Sequence, residues 1–394
     1  MASSANLMGP YRGLSFLEAG FRPFFLAAGL WAAASMGLWT FVMHGNIAYP
    51  GAFDPIRWHV HEMLFGYVGA AVAGFLLTAV PSWTGRPPVR GIALVLLLLL
   101  WLAGRVAVFY GSVVGPLVSA AIDLAFLAVV AAYVLREVLA SGNRRNLPVA
   151  GGVVPLAVAS ASMHAEPIGI LADSDLGMRL GIAIVTMLIS VIGGRIVPAF
   201  TRNWLERQAI AARPAPFGAV DRDALIAGAG ALACWVVAPS SDAVAVLAVV
   251  AALLHAWRLA RWCGLRTGAE PLVWILHLGY AWLPLGFALL AVSHWWPDLP
   301  QRAALHAFTA GAMGTMPLAV MTRATLGHTG RPLHAGAGTV IVYLAILLAA
   351  VARIVGPLSP DLYIPAIAVG GTAWMLAFGL FVLLYAPALL GPRR

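Results

Sequence analysis

The chain has no lysine and only two cysteines, Cys234 and Cys263, in 394 residues. One lies within an apolar run and the other beside one, which argues against a disulfide framework and against a cysteine-based metal site. Charge is also scarce. Only 10% of residues are Asp, Glu, Lys or Arg, against about 25% in an ordinary soluble domain. The 24 basic residues, all arginine, exceed the 15 acidic ones and leave a formal charge of +9. In so apolar a chain that excess suits a membrane surface and gives no argument for nucleic acid. The opening MASSANLMGPYRGLSFLE has no apolar core, so no signal peptide is expected ahead of the first span.

What is abundant is hydrophobic sequence, 61% of the chain. Gly91–Tyr110 runs 20 residues with one charge, Arg105, long enough to cross about 30 Å of hydrocarbon as a helix. Spans in lipid must satisfy their own backbone hydrogen bonds, so the expected fold is all-α. The reading is a polytopic membrane protein, one transmembrane domain over 1–394, with about 12 spans near 21–43, 58–80, 91–110, 114–139, 149–165, 176–200, 223–238, 242–260, 271–293, 302–322, 337–354 and 362–388. Pro/Gly/charge clusters such as TGRPPVRG at 84–91 and SGNRRNLP at 141–148 separate them. Those spans put Arg57, Arg105, Arg179, Arg302 and Arg353 towards one side and the other nineteen arginines towards the opposite side. The positive-inside rule then predicts an even number of spans with both termini cytoplasmic.

A segment occurs twice. HEMLFGYVGAAVAGFLLTAVPSWTGRP at 61–87 and HAFTAGAMGTMPLAVMTRATLGHTGRP at 306–332 share 8 of 27 positions at a constant offset of 245. Both begin with histidine and end in Thr-Gly-Arg-Pro. Helix 6 carries a weaker echo, Val197-Pro198-Ala199-Phe200-Thr201, which points to four-helix units over 1–145, 146–266 and 267–394. Twelve helices in three arcs with histidines on helices 2 and 10 resemble the main subunit of haem–copper oxidases and nitric oxide reductases. Here helices 6 and 7 carry no histidine.

His61 and His306 at equal depth are the expected axial pair of a haem, since each ligand must reach iron from an opposite face. His59, two residues from His61, projects about 200° away on a helix, so it serves a different centre or is structural. Glu62 is a candidate partner for a ligand histidine or for Arg57 or Arg302. Arg57, Arg105 and Arg302 are candidates for haem propionates, with interfacial anchoring as the plain alternative. Asp123 at membrane depth reads as a proton relay or as the partner of a buried arginine. His44, His164 and His294 are candidates for a second metal beside His59. His277 must find a partner inside its span. Arg323, His328 and Arg331 form a polar patch that suits an anionic ligand or a helix-capping turn equally well.

Gly20-Phe21-Arg22-Pro23-Phe24-Phe25, WHVHEMLFGY at 58–67, GFLLTAVPSWTGR at 74–86, GGRIVPAFTRNW at 193–204 and HAFTAGAMGTMPLAVMTRATLGHTGR at 306–331 together resemble the NnrS family. The resemblance implies a bacterial inner-membrane protein associated with haem and copper, denitrification and resistance to nitric oxide. It implies one or two haem b groups, copper or a second metal, membrane lipids, and nitric oxide as the ligand. The leading function is nitric oxide handling, as a reductase forming nitrous oxide with electrons from quinol or another donor. In that reading His59 and Glu62 are catalytic, and His59, His61 and His306 hold metal. The alternative is a non-enzymatic haem or metal transporter or a nitric oxide sensor.

Overall fold

Long apolar runs become helices, and the proline, glycine and charge clusters end them. A computed structural model describes residues 11–172 and 175–394. Among these there is no strand. Twelve long helices, α1 to α12, cover Phe21–Met43, Pro55–Thr84, Ile92–Phe109, Pro116–Ala140, Arg144–His164, Leu176–Arg207, Ala219–Val237, Asp242–Arg266, Pro271–Trp295, Gln301–His328, Ala337–Leu358 and Pro360–Leu390. Each expected span falls on one of them. Eleven are long and apolar enough to cross a membrane. The remaining one, α7, is helical throughout but opens with Asp221, Arg222 and Asp223.

The chain forms two compact units. The first runs to Gly181 and adds Ala324–Arg331 and Phe381–Arg394; the second comprises Ile182–Arg323 and Pro332–Leu380. In the first, α1 packs on α2, α3 on α4, and α4 on α2 and α5. In the second, α7 packs on α8, α8 on α9, α9 on α10 and α10 on α11. The first unit buries Phe24, Phe25, Phe65, Tyr67 and Phe126. The second buries Trp235, Trp262, Tyr280 and Tyr343. Leu96, Leu99 and Leu102 of α3 point outward at helical spacing, the surface expected of a helix that faces lipid.

The duplicated segment is duplicated in structure. Asp54 starts α2, its carboxylate accepting from the backbone N–H groups of Ile56 and Arg57 at 2.9 and 3.1 Å, with Pro55 in the first turn. Immediately after His61 the helix widens to a π-helical turn over Glu62–Tyr67. Immediately after His306, α10 does the same over Ala307–Met313. Each π segment holds the matching glycine, Gly66 or Gly311. A Cβ at Gly66 would stand 2.6 Å from the indole nitrogen of Trp31 in α1. A Cβ at Gly311 would stand 2.8 Å from the ring of Trp282 in α9. Both helices also stop alike: Gly85 and Gly330 of the two Thr-Gly-Arg-Pro turns adopt φ of +68° and +75°. That left-handed cap favours glycine, and the proline two residues on prevents continuation.

Candidate metal centre

The first unit encloses a dense polar cluster. Glu62 projects from the π turn of α2, Arg105 from α3, Asp123 from α4, and Ser160 and His164 from α5. His61, Glu62 and Ser160 are fully buried, and Arg105, Asp123 and His164 are 2% exposed. Arg105 donates through Nη1 to both Glu62 oxygens, at 2.9 and 2.8 Å, and pairs through Nη2 with Oδ1 of Asp123. Trp31 Nε1 donates to Glu62 Oε2 at 2.7 Å. His164 Nε2 lies 3.0 Å from Asp123 Oδ2, and Ser160 Oγ donates to the same oxygen at 3.1 Å.

His61 sits between the two carboxylates. Its Nδ1 lies 3.1 Å from Glu62 Oε1 and its Nε2 3.2 Å from Asp123 Oδ2. An ionised carboxylate only accepts, so Nδ1 must carry a proton. In a neutral ring Nε2 then presents a lone pair to an oxygen that also accepts. Ser160 Oγ lies 3.3 Å from Nε2 and 3.1 Å from Asp123 Oδ2, and its single proton can serve only one of these two acceptors. The site therefore calls for one more positive centre between His61 and Asp123. Charge gives the same result: two ionised carboxylates and one guanidinium sum to −2 + 1 = −1 with neutral imidazoles. Burying an unbalanced charge is costly. A proton on His61 or a bound cation would balance it.

The donors suit a cation. One ligand atom from each of His61, Asp123 and His164 lies within 4.8 Å of the others. A first-row metal binds imidazole and carboxylate at about 2.0–2.2 Å, so small side-chain shifts would close the set. Glu62 takes the role expected of a ligand's partner, accepting from Nδ1 and so directing Nε2 inward. Phe53 and Phe65 flank the His61 ring, with centroids 5.2 and 5.0 Å away. A porphyrin ligated at Nε2 does not fit this packing, because Asp123 and Ser160 occupy the approach.

The other sequence candidates have their own surroundings. His59 stacks on Trp39 at 4.5 Å between centroids and is not among the three clustered ligands. His164, expected beside His59, stands beside His61 instead. Asp123 does pair with a buried arginine, Arg105. Arg57 pairs with Asp54 and Asp175 at 3.2 and 3.1 Å and with Glu166. These residues line a cavity of about 250 Å³ with Val60 and Met163, the residues that precede His61 and His164. Beyond the spans, burial pushes the Tyr49 phenol up, with the charges of Glu62 and Asp54 adding to it. In the second unit, His306 donates from Nδ1 to the Arg302 carbonyl at 2.7 Å and accepts at Nε2 from Arg353 at 2.8 Å. Arg302 itself lies over Tyr363. His44 and His294 meet the Thr40 carbonyl and Asp242, each at 2.8 Å. His277 finds Thr201 Oγ1 at 2.8 Å.

Sequence reasoning did not anticipate a second buried network. Arg258 donates to Asp221 Oδ1 at 2.9 Å and to the Tyr280 hydroxyl at 2.8 Å, and that hydroxyl meets His255 Nδ1 at 2.8 Å. It accounts for Asp221 at the charged opening of α7, which faces inward, whereas Arg222 and Asp223 pair with each other at the surface. Ser160 and Trp31 also escaped the sequence reading, since neither residue type is unusual in a span.

No curated protein matches the chain. The family model described as NnrS protein matches residues 15–393. With its membrane-capable helices and its paired histidine segments, the chain belongs to the NnrS family, membrane proteins associated with nitric oxide responses.

Proposed function

We propose that this protein is an inner-membrane metal protein that binds nitric oxide at His61, Asp123 and His164. The observation that carries the reading is the lone pair of His61 Nε2, which Glu62 directs at an acceptor in a cluster short of one positive charge. Two imidazoles and one carboxylate are the donor set of non-haem iron(II) sites, and imidazole also suits copper. Bound there, such a metal would supply an open coordination position for nitric oxide. Arg105 holds the two carboxylates, Glu62 fixes the His61 tautomer, and the aromatic rings keep water from the cluster. Both termini lie in the cytoplasm in this reading, by the arginine asymmetry.

Metal analysis of the detergent-purified protein tests it, with electron paramagnetic resonance recorded before and after nitric oxide. About one iron or copper per chain and a spectrum altered by nitric oxide are expected. Metal-free protein that cannot be reconstituted, or a spectrum indifferent to nitric oxide, would refute it. A nitric oxide reductase further needs an electron donor, quinol or another, and turnover to nitrous oxide measures that activity directly.

The second reading is haem at His61 or at His306, the two histidines that stand ahead of matched π turns. It requires Asp123 to leave His61 Nε2 or Arg353 to leave His306 Nε2. Stoichiometric haem in a pyridine haemochrome assay, lost in His61→Ala or in His306→Ala, would establish it over the compact metal.

A further inference from the structure

We propose that the second unit binds a phosphate-type oxyanion at Arg323. Arg323 of α10 is 5% exposed. Its guanidinium lies over the ring of Phe200, 4.1 Å from the centroid. Nη1 is buried and has no hydrogen-bond partner. Arg323 lines a cavity of about 410 Å³ with Asn203, Glu206 and Arg207 at the end of α6 and with Leu333. The site therefore joins an enclosed cation, unused donors and space.

Neither nearby acid makes an ion pair or hydrogen bond with Arg323 among the described contacts. Glu206 faces Arg213 at 3.7 Å. Glu270, whose charge reaches Arg323, accepts from the backbone N–H groups of Leu272 and Ala335 at 3.1 and 3.2 Å and from His334 at 3.0 Å. Against them stand two guanidinium groups, Arg323 and Arg207. An enclosed guanidinium without an anion is costly, whereas its planar fork matches two oxygens of a phosphate. Asn203 adds an amide donor, and the Phe200 ring holds the guanidinium plane in place. The cavity opens to the surface, and its volume admits a phosphate group. The same chemistry fits a phospholipid head group or free phosphate. It is independent of the metal cluster, whose residues all belong to the first unit.

The experiment compares full-length wild type with Arg323→Gln, Arg207→Gln and Asn203→Ala. One arm exchanges detergent exhaustively and counts retained phospholipid by native mass spectrometry. The other titrates delipidated protein with inorganic phosphate by calorimetry. Retention of one phospholipid in wild type, lost in Arg323→Gln and reduced in Arg207→Gln, identifies a lipid site. Saturable phosphate binding, weakened at least tenfold by either arginine variant, identifies a soluble oxyanion. Arg207 and Asn203 are exposed, so their variants carry the test if Arg323→Gln does not fold. Wild type and all folded variants behaving alike in both arms overturns the proposal.

Discussion

The rings of His61 and His164 stand edge to face, 5.0 Å between centroids and 73° between planes. Both direct Nε2 at Oδ2 of Asp123, at 3.2 and 3.0 Å. Three helices thus converge on one oxygen atom, and that convergence makes Asp123 the most sensitive position of the proposed centre.

Asp123→Asn should lower bound metal to a small fraction of the wild-type stoichiometry, because it removes an anionic ligand and puts an amide in its place. Inductively coupled plasma mass spectrometry of the purified variant measures it. Wild-type metal content in Asp123→Asn would remove Asp123 from the ligand set.

Glu62→Gln acts one step further out. It leaves His61 without the charged acceptor that fixes its tautomer, and loss of such a partner weakens metal binding by about 10–100-fold. Competition with a chelator of known affinity gives the ratio. An unchanged ratio would mean that the Glu62–His61 contact does not orient a ligand.

Arg105→Leu should destabilise the protein. It leaves Glu62 and Asp123 buried without their cation, and breaking a buried pair costs about 3–5 kcal/mol. Thermal unfolding in detergent should show a lower midpoint, and added metal should recover part of the loss by binding only the folded form. A midpoint equal to wild type would show that water or a rearranged side chain already balances the carboxylates.

Reporter fusions at Arg394 and within the segment 44–54 should report opposite sides of the membrane, with Arg394 cytoplasmic. The expectation comes from the excess of arginine on one side of the spans. Identical signals at both positions would refute it.

Much of this architecture could be read in the chain itself, because a bilayer leaves few alternatives to apolar helices. Gly91–Tyr110 predicts a span, and α3 covers Ile92–Phe109. The duplicated segment was also legible, down to its Thr-Gly-Arg-Pro stop, though not the π turns, which no residue type announces. The cluster was legible only in pieces. Arg105 and Asp123 stand out as lone charges in apolar runs, and a buried charge needs a partner. Which partner depends on how α2 to α5 rotate against one another, and apolar helices such as α3 carry little pattern to fix that rotation. For that reason His164 was expected with His59 and is found with His61. Glu62 had a ligand histidine as one candidate partner and Arg57 or Arg302 as the other; it meets His61, and its arginine is Arg105, which the same reading had set aside for haem propionates.

The π turn after His61 has a mechanical consequence. A π turn holds one residue more than an α turn closing the same loop of backbone, so everything beyond it is advanced in phase by about 100°. His61 therefore faces α4 and α5 at an angle that the remainder of α2 would not dictate. Removing one residue from 62–67 should let the helix anneal to regular α geometry and swing the histidine off Asp123 without altering any ligand. The widened turn acts as a phase shifter, setting the aim of a side chain independently of the packing of the long helix below it. The chain carries that device a second time, after His306.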